Sequence, residues 1–205
     1  MSKQSDFRIT FSRPKGWVQL PVTNSEKLEH DRELEAWAAD KAGSTLDSGA
    51  SPEQLARRAQ ELTELTFSCR ARRDWYGLAY YPPKLPGLIA ALDVKPYMSD
   101  RKYPEITLDL LEEIYAKYSS DTVGDIAASR VELPAGSAVR VRSKRIEERD
   151  KSGQGTLIEG VTHAIRAPGI DSAVVVVMTW TMLQWGETLA KMADMIAETV
   201  RVTPR

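Results

Sequence analysis

The sequence predicts an α+β fold with helices on the faces of an antiparallel sheet, and three observations predict it. Strand-like blocks alternate with helical blocks, without the regular spacing of βαβ units. The last third reads as successive strands joined by short turns, which is an antiparallel meander. An amphipathic helix follows the most apolar strand and has to pack on the sheet just made.

At 205 residues the chain can bury a core without disulfide or metal staples. An apolar fraction of 42% and a charged fraction of 28% are those of an ordinary globular protein and argue against global disorder. A formal net charge of -1 gives the whole molecule no field for nucleic acid or an acidic membrane. The single cysteine, Cys69, excludes an internal disulfide and every multi-cysteine metal site. The opening Met1-Ser-Lys-Gln-Ser-Asp-Phe7 has no apolar signal core, and the most apolar stretch, Ala173 to Leu183, is too short to span a bilayer. A cytoplasmic protein without membrane insertion is expected.

In order along the chain, Phe7, Ile9 and Phe11 alternate with polar residues, the period of a half-buried strand. Arg13-Pro14-Lys15-Gly16 is a turn, and Trp17 to Leu20 resumes the extended run. Thr23 and Glu26 have capping-box spacing and open a helix whose buried side is Leu34, Trp37 and Ala38. Gly43 to Ala50 reads as a loop. Ser51, Pro52 and Gln54 then open a second helix, with Leu55, Ala59, Leu62 and Leu65 as its stripe and Arg70 to Arg73 at its end.

Trp75 to Tyr81 is aromatic-rich and bounded by Pro82-Pro83, so it reads as a strand, as does Leu88 to Val94. Pro104 begins a helix with the stripe Thr107, Leu110, Leu111, Ile114 and Tyr118. Val131 to Leu133, Ala138 to Ile146, Thr156 to Arg166 and Ala173 to Met182 are strands, the last apolar and β-branched as befits a strand buried on both faces. The closing helix carries Trp185, Leu189, Met192 and Ile196. Trp17, Trp37, Trp180 and Trp185 are assigned to the core.

No constellation of catalytic residues emerges. A Gly-x-Ser-x-Gly elbow, a phosphate-binding Gly-x-x-x-x-Gly-Lys-Ser/Thr and a dinucleotide Gly-x-Gly-x-x-Gly are all missing. His30 falls among charges on a surface helix. His163 lies mid-strand with Val161 and Ile165 on its own face, where a structural role is expected. Cys69 has Arg70 and Arg72 near it, which would lower its pKa, but a lone cysteine near a helix end reads as packed. No metal or cofactor is expected.

Two groups of residues remain as candidate contacts. Arg140, Arg142 and Lys144 fall on alternate positions of one strand and project from one face; with Arg130 and Arg166 they make a cationic stripe that suits an acidic partner. Glu147, Glu148 and Glu159 are placed to neutralise it. Trp75, Tyr76, Tyr80 and Tyr81 form an aromatic segment of the kind that anchors interfaces.

Phe7-Arg-Ile-Thr-Phe11 followed by Pro14-Lys-Gly-Trp17 resembles the opening of the PsbP-like superfamily. Leu133-Pro-Ala-Gly-Ser-Ala-Val-Arg140, the apolar strand Ala173 to Met182 and the helix end Met195-Ile-Ala-Glu-Thr-Val200 resemble its closing segment, in the manner of the actinobacterial LpqN-type branch. The resemblance implies one domain over residues 1–205, an α/β/α sandwich around an antiparallel sheet, with an unmatched helical and β insertion at about 23–128. It also implies a non-enzymatic role and transfers no functional residue.

The expected function is therefore that of a protein-binding accessory or adaptor subunit. A small-ligand binder or enzyme of unfamiliar type is the second reading, and a self-assembling subunit the third. Nucleic-acid binding ranks last.

Overall fold

The computed structural model describes residues 7–21, 29–46, 49–70, 76–82, 87–100, 102–147 and 155–204. In chain order the elements are β1 (Phe7–Thr10), β2 (Trp17–Gln19), α1 (Glu29–Thr45), α2 (Pro52–Arg70), β3 (Tyr76–Tyr80), β4 (Ala90–Met98) and α3 (Leu108–Tyr115). There follow β5 (Ala127–Leu133), β6 (Gly136–Glu147), β7 (Thr156–Arg166), β8 (Ser172–Trp180), a 3₁₀ turn (Leu183–Trp185), α4 (Gly186–Thr199) and β9 (Arg201–Pro204). The chain divides into two compact units, Pro14–Ala91 and Met1–Arg13 with Leu92–Arg205.

The unit Pro14–Ala91 is helical with a short ladder. β2 and β3 pair antiparallel, with Trp17 opposite Tyr80. The ladder alternates: Val18 and Ala79 turn to one side with Leu20 and Tyr81, where they bury against Ala38 of α1 and Leu62 of α2. Trp37, Ala59, Leu65 and Leu88 pack half-buried around them. The expected capping box at the head of α2 is present. Gln54 N–H donates to Ser51 Oγ at 3.2 Å, and Ser51 N–H donates to Gln54 Oε1 at 2.7 Å. The expected helix start at Thr23 lies outside the described residues. At its other end α1 continues to Thr45, through positions read as loop; the Thr45 hydroxyl donates to Ala42 O at 3.0 Å and keeps the last turn closed.

The unit built on Leu92–Arg205 holds the meander. Its strands lie in the order β4-β8-β7-β6-β5, and β5/β6, β6/β7 and β7/β8 are antiparallel. Strand alternation gives the sheet two apolar faces. Val139 and Val141 of β6, Ala164 of β7 and Ala173 and Val175 of β8 bury against Ile106 and Leu111 at α3. On the opposite face Val161, Ile165, Val174, Val176 and Met178 are buried, and α4 covers them with Leu189, Ala190, Ala193, Ile196 and Ala197. Helix, sheet and helix therefore stack in three layers, the expected sandwich. β8 shows why: Val174, Val175 and Val176 are all fully buried, and each such side chain is worth about 1.5–3 kcal/mol over its exposed state.

The turn between β5 and β6 depends on Gly136. Its φ is +134°, and a β-carbon there would come within 2.3 Å of the Arg166 carbonyl.

Two expectations about α3 are corrected. Thr107 is the N-cap of α3 and not part of its stripe, since its hydroxyl accepts the Leu110 N–H at 3.2 Å. α3 stops at Tyr115, so Tyr118 falls beyond it and is exposed, its hydroxyl accepting the Ile126 N–H. A short strand, β9, follows α4 and pairs antiparallel with β1, Phe7 opposite Pro204. Trp17 and Trp180 are in the core and Trp37 is half-buried, as its place on α1 requires. Trp185 is not in the core: it precedes α4, off the helical stripe, and is 37% exposed.

Candidate functional site

The alternation of β6 that sends Val139 and Val141 towards α3 sends Arg140, Arg142 and Lys144 to the α4 face. Arg140 has His163 as its cross-strand neighbour and Lys144 has Glu159. α4 presents two acids over this row. Glu187 and Asp194 are seven residues apart, two helical turns, and so lie on one face.

Asp194 collects two of the polar groups. Arg140 Nε donates to its Oδ1 at 2.7 Å and Nη2 to its Oδ2 at 3.1 Å, a bidentate pair. His163 Nε2 is 3.0 Å from the same Oδ1. His163 is buried, and burial pushes its pKa down to about 4; the Asp194 charge pulls it up and Arg140 pushes it down again. The ring is therefore neutral at pH 7, with Nε2–H donating to Asp194. Its Nδ1 is buried and has no hydrogen-bond partner among the described residues. The His–Asp pair fastens α4 to the sheet.

Arg142 forms the second knot. Its Nε donates to Glu159 Oε1 at 2.9 Å and its Nη1 to Glu187 Oε1 at 2.7 Å. Glu159 is a buried carboxylate, and its other oxygen accepts the Trp180 indole N–H at 3.1 Å. Both oxygens are satisfied, as a buried charge requires. The backbone closes over this pair at Gly186: a β-carbon there would lie 2.6 Å from Glu159 Oε2 and 3.2 Å from Arg142 Nη2.

The expected cationic stripe is corrected by this geometry. Arg140 and Arg142 are occupied by Asp194, Glu159 and Glu187 of the chain itself, beneath α4. Arg130 and Arg166 belong to the other face. Arg130 binds Asp109 and Glu112, and Arg166 Nε donates to Ile106 O at 2.7 Å. Lys144 alone of the row is exposed and without a partner among the described residues.

The aromatic candidates separate as well. Trp75 lies outside the described residues, and of Tyr76 only the backbone in β3 is described. Tyr80 is half-buried and stacks on Trp17, ring centroids 5.2 Å apart. Tyr81 is 1% exposed and cannot meet a partner: the Arg58 guanidinium lies 4.1 Å above its ring, and burial raises the pKa of its hydroxyl. Arg58 itself is a buried cation paired with Glu61, unnoticed in the sequence because it interrupts the apolar stripe of α2 without breaking it.

Trp185, expected in the core, lies outside it. Leu183 and Trp185 are exposed on the 3₁₀ turn between β8 and α4. The turn is fixed at both ends, by Trp185 N–H to Met182 O at 3.0 Å and by Gly186 against the Glu159–Arg142 pair. Because Glu159 pairs in register with both Lys144 and Trp180, the free lysine and the exposed turn belong to the same corner of this unit. Among the described residues no helix is long and apolar enough to cross a membrane, and no three His, Cys, Asp or Glu are grouped to hold a metal.

No protein-family model and no curated protein matches the chain. Its structure is similar to that of LpqN of Mycobacterium tuberculosis, a protein involved in cell envelope biogenesis, at TM-score 0.42 and 16% identity over 98% of this chain and 86% of that one. It is also similar to the Saccharomyces cerevisiae Ran-binding protein Mog1p, at TM-score 0.42 and 10% identity over 98% and 96%. A Bacteroides thetaiotaomicron protein is similar at TM-score 0.33 and 15% identity, over 63% of this chain and 38% of that one. These values transfer no role.

Proposed function

We propose that the protein is a non-enzymatic accessory or adaptor subunit of the cytoplasm, and that it binds another protein through the corner made by Lys144, Leu183 and Trp185. The observation that carries the proposal is the exposure of Trp185 and Leu183 on a turn held at both ends. Tryptophan is enriched among the residues that dominate binding energy. A pinned turn presents it with little ordering left to do on association. Lys144 beside it favours a partner with an acidic surface, because the neighbouring arginines are already neutralised within the chain.

The test is capture of partners from source-cell lysate by tagged wild type, Trp185→Ala and Lys144→Glu, each checked for folding by circular dichroism. A protein retained by wild type and lost by both variants is the expected result. A partner retained equally by both variants removes this corner from the reading, and no enrichment at low salt removes the adaptor role.

A further inference from the structure

The outer edge of β5 is the feature that the proposed function leaves unused. β5 ends the strand order of its sheet, and its residues are mostly exposed. Among the described residues no backbone hydrogen bond reaches its outward groups. The preceding segment does not cover it: Val123 N–H donates to Lys144 O and Ile146 N–H to Asp121 O, so those residues run beside β6 beyond the end of β5. An open edge of this kind is a template for another strand.

We infer that the edge pairs with β5 of a second copy, antiparallel, about a two-fold axis midway between the two copies of Val131. Such an axis stands perpendicular to the sheet and keeps like faces together, so it must pass midway between the two copies of one residue. Centred on Arg130 or Glu132 it sets like charges opposite one another, which destabilises. Centred on Ser129 it sets Arg130 opposite Ala128 and Glu132 opposite Ile126. Centred on Val131 it sets Arg130 opposite the partner's Glu132 and Glu132 opposite the partner's Arg130. It also brings the two Val131 side chains together on the α4 face.

Arg130 has a hand free for this contact. Its Nε donates to Glu112 and its Nη2 to Asp109 and Glu112, which leaves Nη1 for the partner's carboxylate. Charges on an edge strand ordinarily block pairing; here their spacing opposes the registers centred on either charge and pairs opposite charges in the one centred on Val131. Arg130 is outnumbered by Asp109, Glu112 and Glu132, so the two edges are each acidic on balance. The pairing therefore tightens as salt screens that repulsion, the reverse of a contact between an acidic and a basic partner.

Sedimentation velocity over a dilution series, in low and high salt, tests the inference on the full chain. Wild type shifts from two chains to one on dilution, and the shift moves to lower concentration in high salt. Arg130→Glu and Glu132→Arg each weaken the dimer about tenfold or more when alone, whereas an equimolar mixture of the two variants restores it, since the acids of one chain then face the cations of the other. Val131→Lys, which leaves the Arg130 contacts within the chain untouched, gives a single-chain mass, and Val131→Thr does not. A single-chain mass for wild type at every concentration overturns the inference. So does a dimer that Val131→Lys and both charge variants leave unchanged.

Discussion

The imidazole of His163 lies 3.0 Å from the carboxylate of Asp194, which binds a strand in the middle of the sheet to the helix above it. Burial holds the folded-state pKa of this histidine at about 4, against 6.5 when free. The unfolded chain therefore takes up a proton, as pH falls through 6.5, that the folded chain refuses until about 4. Asp194 and Arg140 are the charged groups that face it. This one group should remove stability on the order of 3 kcal/mol between pH 7 and pH 4. Urea midpoints for wild type and His163→Gln across that range check it: the variant should lose less on acidification. Parallel pH profiles would exclude His163 as the source.

Asp194 serves both Arg140 and His163, so its removal strands two groups. Asp194→Ala should cost about 2 kcal/mol in urea unfolding, limited by the partial exposure of the pair. Asp194→Asn keeps an acceptor for the arginine and should cost less. Equal losses in the two variants would show that the charge, and not the hydrogen bonding, holds α4 in place.

Two glycines should resist substitution for different reasons. At Gly186 a β-carbon meets the ends of two side chains, Glu159 and Arg142, which can shift by giving up hydrogen bonds; Gly186→Ala should cost about 1–3 kcal/mol. At Gly136 it meets the Arg166 backbone carbonyl in a left-handed conformation, so Gly136→Ala should be the worse of the two. Thermal midpoints ranked the other way would contradict this account of the two turns.

Tyr81→Phe should be neutral or slightly stabilising, by up to about 1 kcal/mol, because the hydroxyl it removes is buried without a partner. Calorimetry decides it. A loss of stability would mean that the hydroxyl makes a hydrogen bond in solution.

The meander was readable from sequence because its evidence is local: β7 spans Thr156–Arg166 as the alternation marks it, and β8 begins one residue earlier and ends two residues earlier than its apolar run. β9 was not readable, since Arg201-Val-Thr-Pro204 has no pattern of its own and is a strand only because β1 lies beside it. Gly43 and Ser44 looked like loop, yet packing of Ala42 and Thr45 carries α1 through them. For the site, the row Arg140, Arg142, Lys144 was visible but its occupation was not. The signal was present in α4: Glu187 and Asp194 share a face with the small buried residues Ala190, Ala193 and Ala197, which places acids over the strand that carries the arginines. A stripe read only for its large apolar residues passes over that arrangement.

The pairing of β1 with β9 has a mechanical consequence. Phe7 lies opposite Pro204 at the outer end of a four-residue antiparallel ladder, so the outer ends of the first and last strands of this unit lie side by side. A pull applied through both ends would load that ladder at its open end and break its hydrogen bonds singly, as a zipper opens, instead of shearing them together. Phe7, 4% exposed, would be drawn out first. The larger sheet would feel the load only after both ends had peeled away.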